Sequence, residues 1–324
     1  MKIIEQLNKL PIKSGEYLVL PNLNTPYFIL PLHSRCVFND AISFVKSRNI
    51  FGDIKRYALK FLPFIILKSI FPVISVKSKH IDNKYSQLIL PWNQDIYNKF
   101  TIFNFNHESI TLIKIGFGKL KKMIENENLF IKKANGINNN IVPQIVNYSE
   151  TQEFSKIETK FYNGVHPDIL PESIKMFFKK ILTDSKEIKM MDHPYFSKIF
   201  LEINHTLKNN SLTALSKLFN DNVNKYKEDL IPIVLMHGDC TKTNVISKED
   251  IGDVLIDWED SIDNGMPIDT RYFEFRIQID SGNYWEINNL IDFLVVAHYI
   301  YLLIRHGNSY KLSNVIFENN RFSI

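Results

Sequence analysis

The segment 237–269 limits the fold of this chain more than any other stretch. Four polar side chains in it follow the pattern HxDxxxxN with a further Asp 13 positions later: His237, Asp239, Asn244 and Asp257. Two short apolar runs, 245–247 and 254–256, flank a polar turn, which is the pattern of two strands in a β-hairpin. Such a hairpin would return Asp257 to the neighbourhood of Asn244.

These side chains are the types that phosphoryl transfer to a hydroxyl requires. A carboxylate must orient the hydroxyl and accept its proton, and Asp239 suits that task. Magnesium prefers carboxylate and amide oxygens, which Asn244 and Asp257 can supply. The alternative is an Asn-rich surface turn with incidental acids, because a motif this short also arises by chance. The added step IDWE around Asp257 favours the phosphoryl-transfer hypothesis.

The pattern HGDxxxxN, followed by IDWE and then by Pro267 and Asp269, resembles the aminoglycoside phosphotransferase and choline kinase superfamily. This superfamily is the small-molecule branch of the protein-kinase-like fold. The segment is also similar to the variant HGDFTPWN, which is typical of kinases from bacterial surface-polysaccharide gene clusters, and Thr241 matches the threonine of that variant. Three residues differ from the variant and bear on the binding of the acceptor: Cys240 replaces Phe, Lys242 replaces Pro and Thr243 replaces Trp.

The resemblance implies a two-lobed α+β fold, with an antiparallel-sheet N-lobe at 86–163 and a mainly helical C-lobe at 164–324. Residues 1–85 would form an added N-terminal α/β region. The implied cofactors are ATP and Mg²⁺, with ATP and GTP not distinguished, and the implied partner is a hydroxyl acceptor such as a sugar, an aminocyclitol or a glycan precursor. In this superfamily the residue at His237 supports the catalytic loop, and the one at Asp269 bonds the backbone of that loop.

A lysine in the predicted sheet is the candidate for holding phosphate. The sheet has three strand candidates: 87–90, 99–106 and 109–115. Lys114 lies in the third strand between apolar neighbours, and a predicted helix at 119–134 follows it. The resemblance implies that Lys114 binds the α- and β-phosphates and that a helix acid orients it. Glu127 is the expected partner and Glu125 the competitor, because only one of the two can face Lys114. An exposed lysine and a solvated acid are the simpler alternative.

Glycines do not supply a phosphate-binding loop. The stretch IKIGFGKL contains GxG, but Lys121 stands where a dinucleotide fingerprint needs its third glycine, and Leu120 stands where a Walker A loop needs Ser or Thr. No glycine lies within 87–106, so a protein-kinase glycine-rich loop is absent. This absence motivates an alternative function, a catalytically weak pseudokinase-like module that binds nucleotide or glycan.

Composition indicates an ordinary globular protein of 324 residues with 45% hydrophobic residues and a net charge of +4. The two cysteines, Cys36 and Cys240, are far apart in the sequence. A disulfide framework is therefore not expected, and a cytoplasmic location is expected. Cys240 is not expected to be a nucleophile, because the sequence shows no residue paired with it that would activate the thiol. The start of the chain lacks the pattern of a signal peptide.

The N-terminal region concentrates positive charge. Residues 41–80 hold eight Lys or Arg and one acid, a net charge of +7, interleaved with aromatic side chains. This pattern predicts either peripheral contact with an anionic membrane or a solvated face of a packed helix. No nucleic-acid-binding motif accompanies it. The expected local elements are strands at 16–20 and 27–32, helices at 40–48 and 53–62, and a strand in the proline-bracketed segment that ends at Val76.

The C-terminal half reads as helical from 168 to 230, with apolar side chains at helical spacing. Zinc is not expected, because no histidine of this region has a second His or Cys at ligand spacing. A nearly all-apolar helix at 291–305 is too short to span a bilayer and is expected to be buried. His298, within it, is expected to be a hydrogen-bonded core histidine.

Overall fold

The computed structural model describes residues 2–10, 12–24, 26–44, 57–78, 86–92, 99–105, 110–183, 185–250, 252–318 and 321–323. The chain divides into two compact units: Met1–Asn128 with Gln144–Phe161, and Leu129–Pro143 with Tyr162–Ile324. The prediction of an α+β class, with an antiparallel sheet followed by a mainly helical part, is confirmed.

The first unit is built on one eight-stranded antiparallel sheet, in the order β3-β1-β2-β4-β5-β6-β8-β7. Its strands are β1 (Gly15–Leu20), β2 (Phe28–Pro31), β3 (Val73–Val76), β4 (Ser86–Trp92), β5 (Lys99–Phe105), β6 (Ile110–Phe117), β7 (Ile145–Glu150) and β8 (Phe154–Lys160). The helices that begin in this unit are α1 (Lys2–Leu7), α2 (Arg35–Phe44), α3 (Phe64–Ile70) and α4 (Lys121–Ile137). The predicted boundary at residue 85 stays a prediction, and strands from both sides of it belong to this one sheet.

The sheet forms because its strands alternate apolar side chains between two buried faces. One face contributes to a cluster that includes Val19, Ile29 and Ile89. The neighbouring residues point the other way, into a second cluster in which Leu18 and Leu88 meet side chains of α2 and α3. Burial on both faces explains why the strands read as nearly continuous apolar runs rather than as alternating ones.

In the N-terminal region one prediction was wrong, and another placed the start of a helix too late. The helix expected at 40–48 begins at Arg35, because Phe38, Ala41 and Ile42 place its apolar face on the sheet. The segment expected as one strand ending at Val76 is α3 followed by the short strand β3. Of the helix predicted at 53–62, residues 57–61 are helical and Leu62 is not. Residues 53–56, the end of the other predicted helix at 45–48 and the predicted turn at 107–108 lie outside the described residues.

The second unit contributes side chains of its last four helices to one apolar core. Its helices are α5 (Glu172–Leu182), α6 (Pro194–Asn209), α7 (Thr213–Tyr226), α8 (Asp269–Asp280) and α9 (Leu290–Arg305). Its strands are β9 (Glu187–Lys189), β10 (Leu230–Pro232), β11 (Val234–Met236), β12 (Val245–Lys248), β13 (Gly252–Leu255), β14 (Ile262–Gly265), β15 (Trp285–Glu286), β16 (Ile316–Glu318) and β17 (Arg321–Ser323). As expected, α9 is buried along most of its length. Among the described residues, no helix has the length and apolar content that crossing a membrane requires.

Candidate active site

The predicted hairpin is present and joins the two halves of the motif. Strands β12 and β13 pair antiparallel, with Val245 opposite Leu255. Beyond the last pair, the main-chain N–H of Ile256 donates to the main-chain oxygen of Asn244 at 2.8 Å. Asp257 is the next residue in the chain, so the hairpin brings it beside Asn244 as the sequence pattern predicts.

Asn244 also bonds Asp239 directly. Its side-chain Nδ2 donates to the main-chain oxygen of Asp239 at 2.8 Å and to Oδ2 of the same residue at 2.9 Å. Both partners can only accept, which identifies the Asn244 atom that faces them as the nitrogen. The amide oxygen Oδ1 of buried Asn244 therefore points away from Asp239. It is the atom of this side chain that suits a cation.

Asp257 has an unusual backbone conformation. Its φ of 66° and ψ of 60° lie in the left-handed region, which non-glycine residues adopt at a cost of about 1–2 kcal/mol. The neighbouring Trp258 is fully buried, and its indole N–H donates to the main-chain oxygen of Leu255 at 2.6 Å. Burial of this ring holds the turn, and with it the direction in which Asp257 leaves the hairpin. The two donor types, one amide oxygen and one carboxylate, fit a hard cation such as Mg²⁺.

The backbone of the loop that carries Asp239 is held by the side chain of Asp269. The main-chain N–H groups of His237 and Gly238 donate to the two carboxylate oxygens of Asp269, at 2.8 and 3.0 Å. Burial raises the pKa of Asp269 to about 7, although these two hydrogen bonds act in the opposite direction. Asp269 thus makes the contact with the loop backbone that the resemblance implied.

His237 connects the loop to the hairpin. Its Nε2 lies 3.0 Å from the main-chain oxygen of Ile256, and the N–H of Asp239 donates to its Nδ1 at 3.3 Å. A carbonyl oxygen only accepts, so Nε2 carries the proton and the ring is the neutral tautomer. The ring also packs edge-on against Trp258, with centroids 4.7 Å apart. In this arrangement His237 supports the loop.

A second histidine reaches the same loop from α9. Nε2 of His298 lies 2.6 Å from the main-chain oxygen of Gly238, and Nδ1 lies 2.8 Å from the hydroxyl of Tyr195. Nε2–H therefore donates to Gly238, and the Tyr195 hydroxyl donates to Nδ1. Burial lowers the pKa of His298 to about 4, so the ring is neutral at neutral pH. His298 is a core histidine, as expected, but its contact with the loop was not anticipated.

The electrostatic surroundings of Asp239 include an arginine that the sequence did not reveal. Nη1 of Arg276, on α8, lies 3.8 Å from Oδ1 of Asp239. Burial raises the pKa of Asp239 to about 6, and the nearby guanidinium opposes that rise. Arg276 is itself held by Tyr272, whose hydroxyl accepts from Nη1 at 3.3 Å, and by Asp280. Arg276 lies 37 positions beyond Asp239 on a separate helix, so no local sequence pattern indicates that the two side chains are close.

The first unit contains the predicted lysine and acid, and they are paired. Nζ of Lys114, on β6, lies 2.7 Å from Oε1 of Glu127, on α4, and both side chains are almost fully buried. The competitor Glu125 faces elsewhere and accepts a hydrogen bond from Ser155 at 3.0 Å. The structure therefore selects Glu127 as the partner of Lys114. Within the second unit, the loop and hairpin bring together the other predicted residues: His237, Asp239, Asn244 and Asp257.

No family model matches this sequence, and no curated protein matches it. Solved structures similar to the chain include spectinomycin phosphotransferase APH(9)-Ia in complex with ADP and spectinomycin, at 15% identity and a TM-score of 0.43, covering 71% of this chain and 89% of that one. Aminoglycoside phosphotransferase APH(4)-Ia has 13% identity and a TM-score of 0.46, covering 71% and 90%. An aminoglycoside-3'-phosphotransferase of type VIII has 9% identity and a TM-score of 0.41, covering 69% and 87%. All three TM-scores are below one half, so these likenesses carry no argument about the function of this chain.

Proposed function

We propose that this protein is a kinase-like phosphotransferase that moves the γ-phosphoryl group of ATP to a hydroxyl of a small molecule. The observation that carries this proposal is the double hydrogen bond from Asn244 to Asp239, made at the open end of the hairpin that leads into Asp257. One carboxylate is held for proton transfer, and we assign one amide oxygen and a second carboxylate to a metal.

Asp239 is the residue that we assign to the acceptor hydroxyl. Its Oδ2 is held by Asn244, while its Oδ1 lies 3.8 Å from Arg276, beyond ordinary hydrogen-bond length. Oδ1 would orient the hydroxyl and accept its proton as the oxygen attacks phosphorus. His237, Asp269 and His298 hold the backbone of the loop, so Asp239 keeps its position during the reaction.

Asn244 and Asp257 would hold Mg²⁺ through oxygen atoms. When bound, the ion neutralises charge on the phosphate oxygens of the nucleotide. Lys114, oriented by Glu127, is the residue that we assign to the phosphates of ATP. Burial of this ion pair keeps the ammonium group in one direction, which suits the binding of a charged group better than a freely rotating lysine does.

The acceptor class that we propose is a sugar, an aminocyclitol or a glycan precursor of surface-polysaccharide biosynthesis. The support is the sequence resemblance to HGDFTPWN, together with acids such as Glu259 near the motif, which suit an aminosugar. We also propose a cytoplasmic location, because the reaction consumes ATP and both cysteines are free thiols.

A transfer screen tests the proposal. The full chain is incubated with γ-labelled ATP, Mg²⁺ and panels of neutral sugars, aminosugars, aminoglycosides, choline and lipid-linked glycans. Asp239→Asn is the blank, and Asp221→Asn, an exposed acid on α7, is the matched control. We expect label transfer by the wild type and by Asp221→Asn, with a loss of about a hundredfold in Asp239→Asn.

The second candidate is a pseudokinase-like module that binds nucleotide or glycan and regulates a partner. The absence of glycine from 87–106 favours it, because the sequence there lacks the glycine-rich pattern of the turn that covers the phosphates in protein kinases. This candidate predicts ATP binding without loss of the γ-phosphate, with or without acceptors. Transfer to any acceptor that depends on Asp239 excludes it.

A further inference from the structure

The first unit displays a cluster of apolar side chains on its surface. Five large apolar residues within 57–70 are between 40% and 79% exposed: Tyr57, Phe61, Ile65, Ile66 and Ile70. We refer to these five side chains as the apolar face. Single exposed apolar residues are ordinary on protein surfaces, but five within one short segment, two of them with ring centroids 5.1 Å apart, indicate an interaction site.

The core does not require the apolar face. On α3 the side chain that packs inward is Leu67, which is fully buried beside Phe38 and Leu88. Ile66 and Ile70 are four positions apart and lie on another side of the same helix, where water covers them. The helix α3 therefore has one apolar side that packs in the core and a second apolar side that is exposed, and packing of the core does not explain the second.

The rest of the first unit holds the apolar face in place. Arg35, at the start of α2, donates through Nη2 to the main-chain oxygens of Leu59 and Lys60. Its guanidinium also lies over the ring of Phe64, 5.1 Å from the ring centroid. Lys68 forms an ion pair of 2.6 Å with Glu16 on β1. The exposed side chains are thus presented from a structured scaffold.

The charge of the sequence that carries the apolar face indicates its partner. Residues 41–80 have a net charge of +7. In the described stretch 57–78, Lys60 and Lys68 alternate along the sequence with the exposed apolar residues, and there is no acid. A second protein surface would need both an apolar patch and an excess of acids to match this combination. A bilayer with anionic headgroups supplies both at once, apolar depth and negative surface potential.

We propose that the apolar face docks this protein on the surface of an anionic lipid bilayer. Phe61, Ile65 and Ile70 would enter the boundary between headgroups and acyl chains, and the lysines interleaved with them in the sequence, Lys60 and Lys68, would contact the headgroups. This attachment is peripheral and does not depend on the proposed phosphotransferase activity.

Vesicle co-sedimentation tests this inference with the full chain. The vesicles are pure phosphatidylcholine, or phosphatidylcholine with phosphatidylserine, at low and high salt. We expect the wild type to bind the anionic vesicles and to be released by salt. The triple variant Phe61→Ser, Ile65→Ser, Ile70→Ser should bind at least about tenfold more weakly. The matched control, Met176→Ser, Leu201→Ser, Leu230→Ser, removes side chains of similar exposure elsewhere and should bind like the wild type.

Two further measurements make the result decisive. Thermal unfolding of each variant verifies folding, and fluorescence of Phe61→Trp with brominated lipids reports whether this position enters the bilayer. Quenching by brominated anionic vesicles supports the inference. Equal binding of both triple variants, or no binding of the wild type to anionic vesicles, overturns it. A wild-type dimer that the Phe61 triple variant dissociates, without vesicle binding, would instead assign the apolar face to a second copy of the chain and also overturn it.

Discussion

The side-chain amide of Asn244 donates two hydrogen bonds to Asp239, at 2.8 Å to the main-chain oxygen and at 2.9 Å to Oδ2. These two bonds set the orientation of the Asp239 carboxylate and also turn the amide oxygen of Asn244 away from it. The proposed base and the proposed metal ligand therefore depend on each other. A substitution at either position is expected to disturb both.

The ion pair in the first unit predicts different effects for two acids on one helix. Glu127→Gln should weaken ATP binding about tenfold, because Lys114 loses the charged partner that orients it. Glu125→Gln should leave binding unchanged, since its contact is a hydrogen bond with Ser155 that an amide can also accept. Calorimetric titration with ATP measures both. Equal affinities of the two variants would remove Lys114 and Glu127 from nucleotide binding.

Two glycines with the same backbone conformation predict different costs of substitution. Gly238 has φ of 85°, and a Cβ added there would overlap the main-chain oxygen of Asp260. Gly252 has φ of 86°, with no atom within 4 Å of an added Cβ. Gly252→Ala should lower the free energy of unfolding by about 1 kcal/mol, the cost of the left-handed conformation alone. Gly238→Ala should lower it by about 2 kcal/mol more. Urea unfolding gives both values, and equal losses would mean that the loop adapts without strain.

Neutral His298 predicts a dependence of stability on pH. Its folded-state pKa of about 4 is below its ordinary value of 6.5, so the unfolded chain binds the proton more readily between these values. Its contribution to stability is complete above about pH 6.5 and falls as pH drops toward 4, by up to about 3 kcal/mol. The charged groups that act on it are Asp260, Arg305 and His306.

The comparison with His298→Gln isolates this effect. Asp269, whose pKa is raised to about 7, contributes in the opposite sense over a similar range, because its ionisation destabilises the fold as pH rises. The difference in unfolding free energy between wild type and His298→Gln should therefore shrink from pH 7 to pH 5. His205→Gln, at an exposed position on α6, is the control and should not change the slope. A constant difference across this range would contradict a neutral His298.

Two substitutions of Arg276 distinguish the effect of its charge near Asp239 from the effect of its shape. Arg276→Met should lower kcat about tenfold with little change in KM for ATP, because it removes the positive charge 3.8 Å from Oδ1. Arg276→Lys should recover most of this loss, since the charge returns although the hydrogen-bonding shape does not. Steady-state kinetics of both variants measures the effect. Loss of the same size in the lysine variant would assign Arg276 to packing against Tyr272 instead.

Local patterns in the sequence predicted the local parts of the site. The hairpin around Asn244 and Asp257 follows from two short apolar runs and a polar turn, which interact across only a few residues. The resemblance implied that an acid of the following helix orients Lys114, with Glu127 expected and Glu125 as the competitor, and the structure pairs Lys114 with Glu127. The α+β class was implied by the resemblance, and the strand and helix patterns along the chain agree with it.

Contacts between distant segments could not be predicted in the same way. Arg276 reaches Asp239 from α8, and His298 reaches Gly238 from α9, 60 positions away. The left-handed backbone of Asp257 depends on the burial of Trp258, which no propensity encodes. Strands β1 to β3 join the sheet of β4 to β8 through pairings such as Ile29 with Ile89, and the pattern of either strand alone does not indicate them.

The central claim is that Asp239 acts on the acceptor hydroxyl, and the turnover of Asp239→Asn tests it most directly. The variant keeps the size of the side chain and can be verified as folded by its thermal midpoint, with Mn²⁺ binding to verify the metal site. We predict a fall in kcat of about a hundredfold or more relative to both wild type and Asp221→Asn. A folded, metal-binding Asp239→Asn that transfers phosphate at the wild-type rate would contradict the claim.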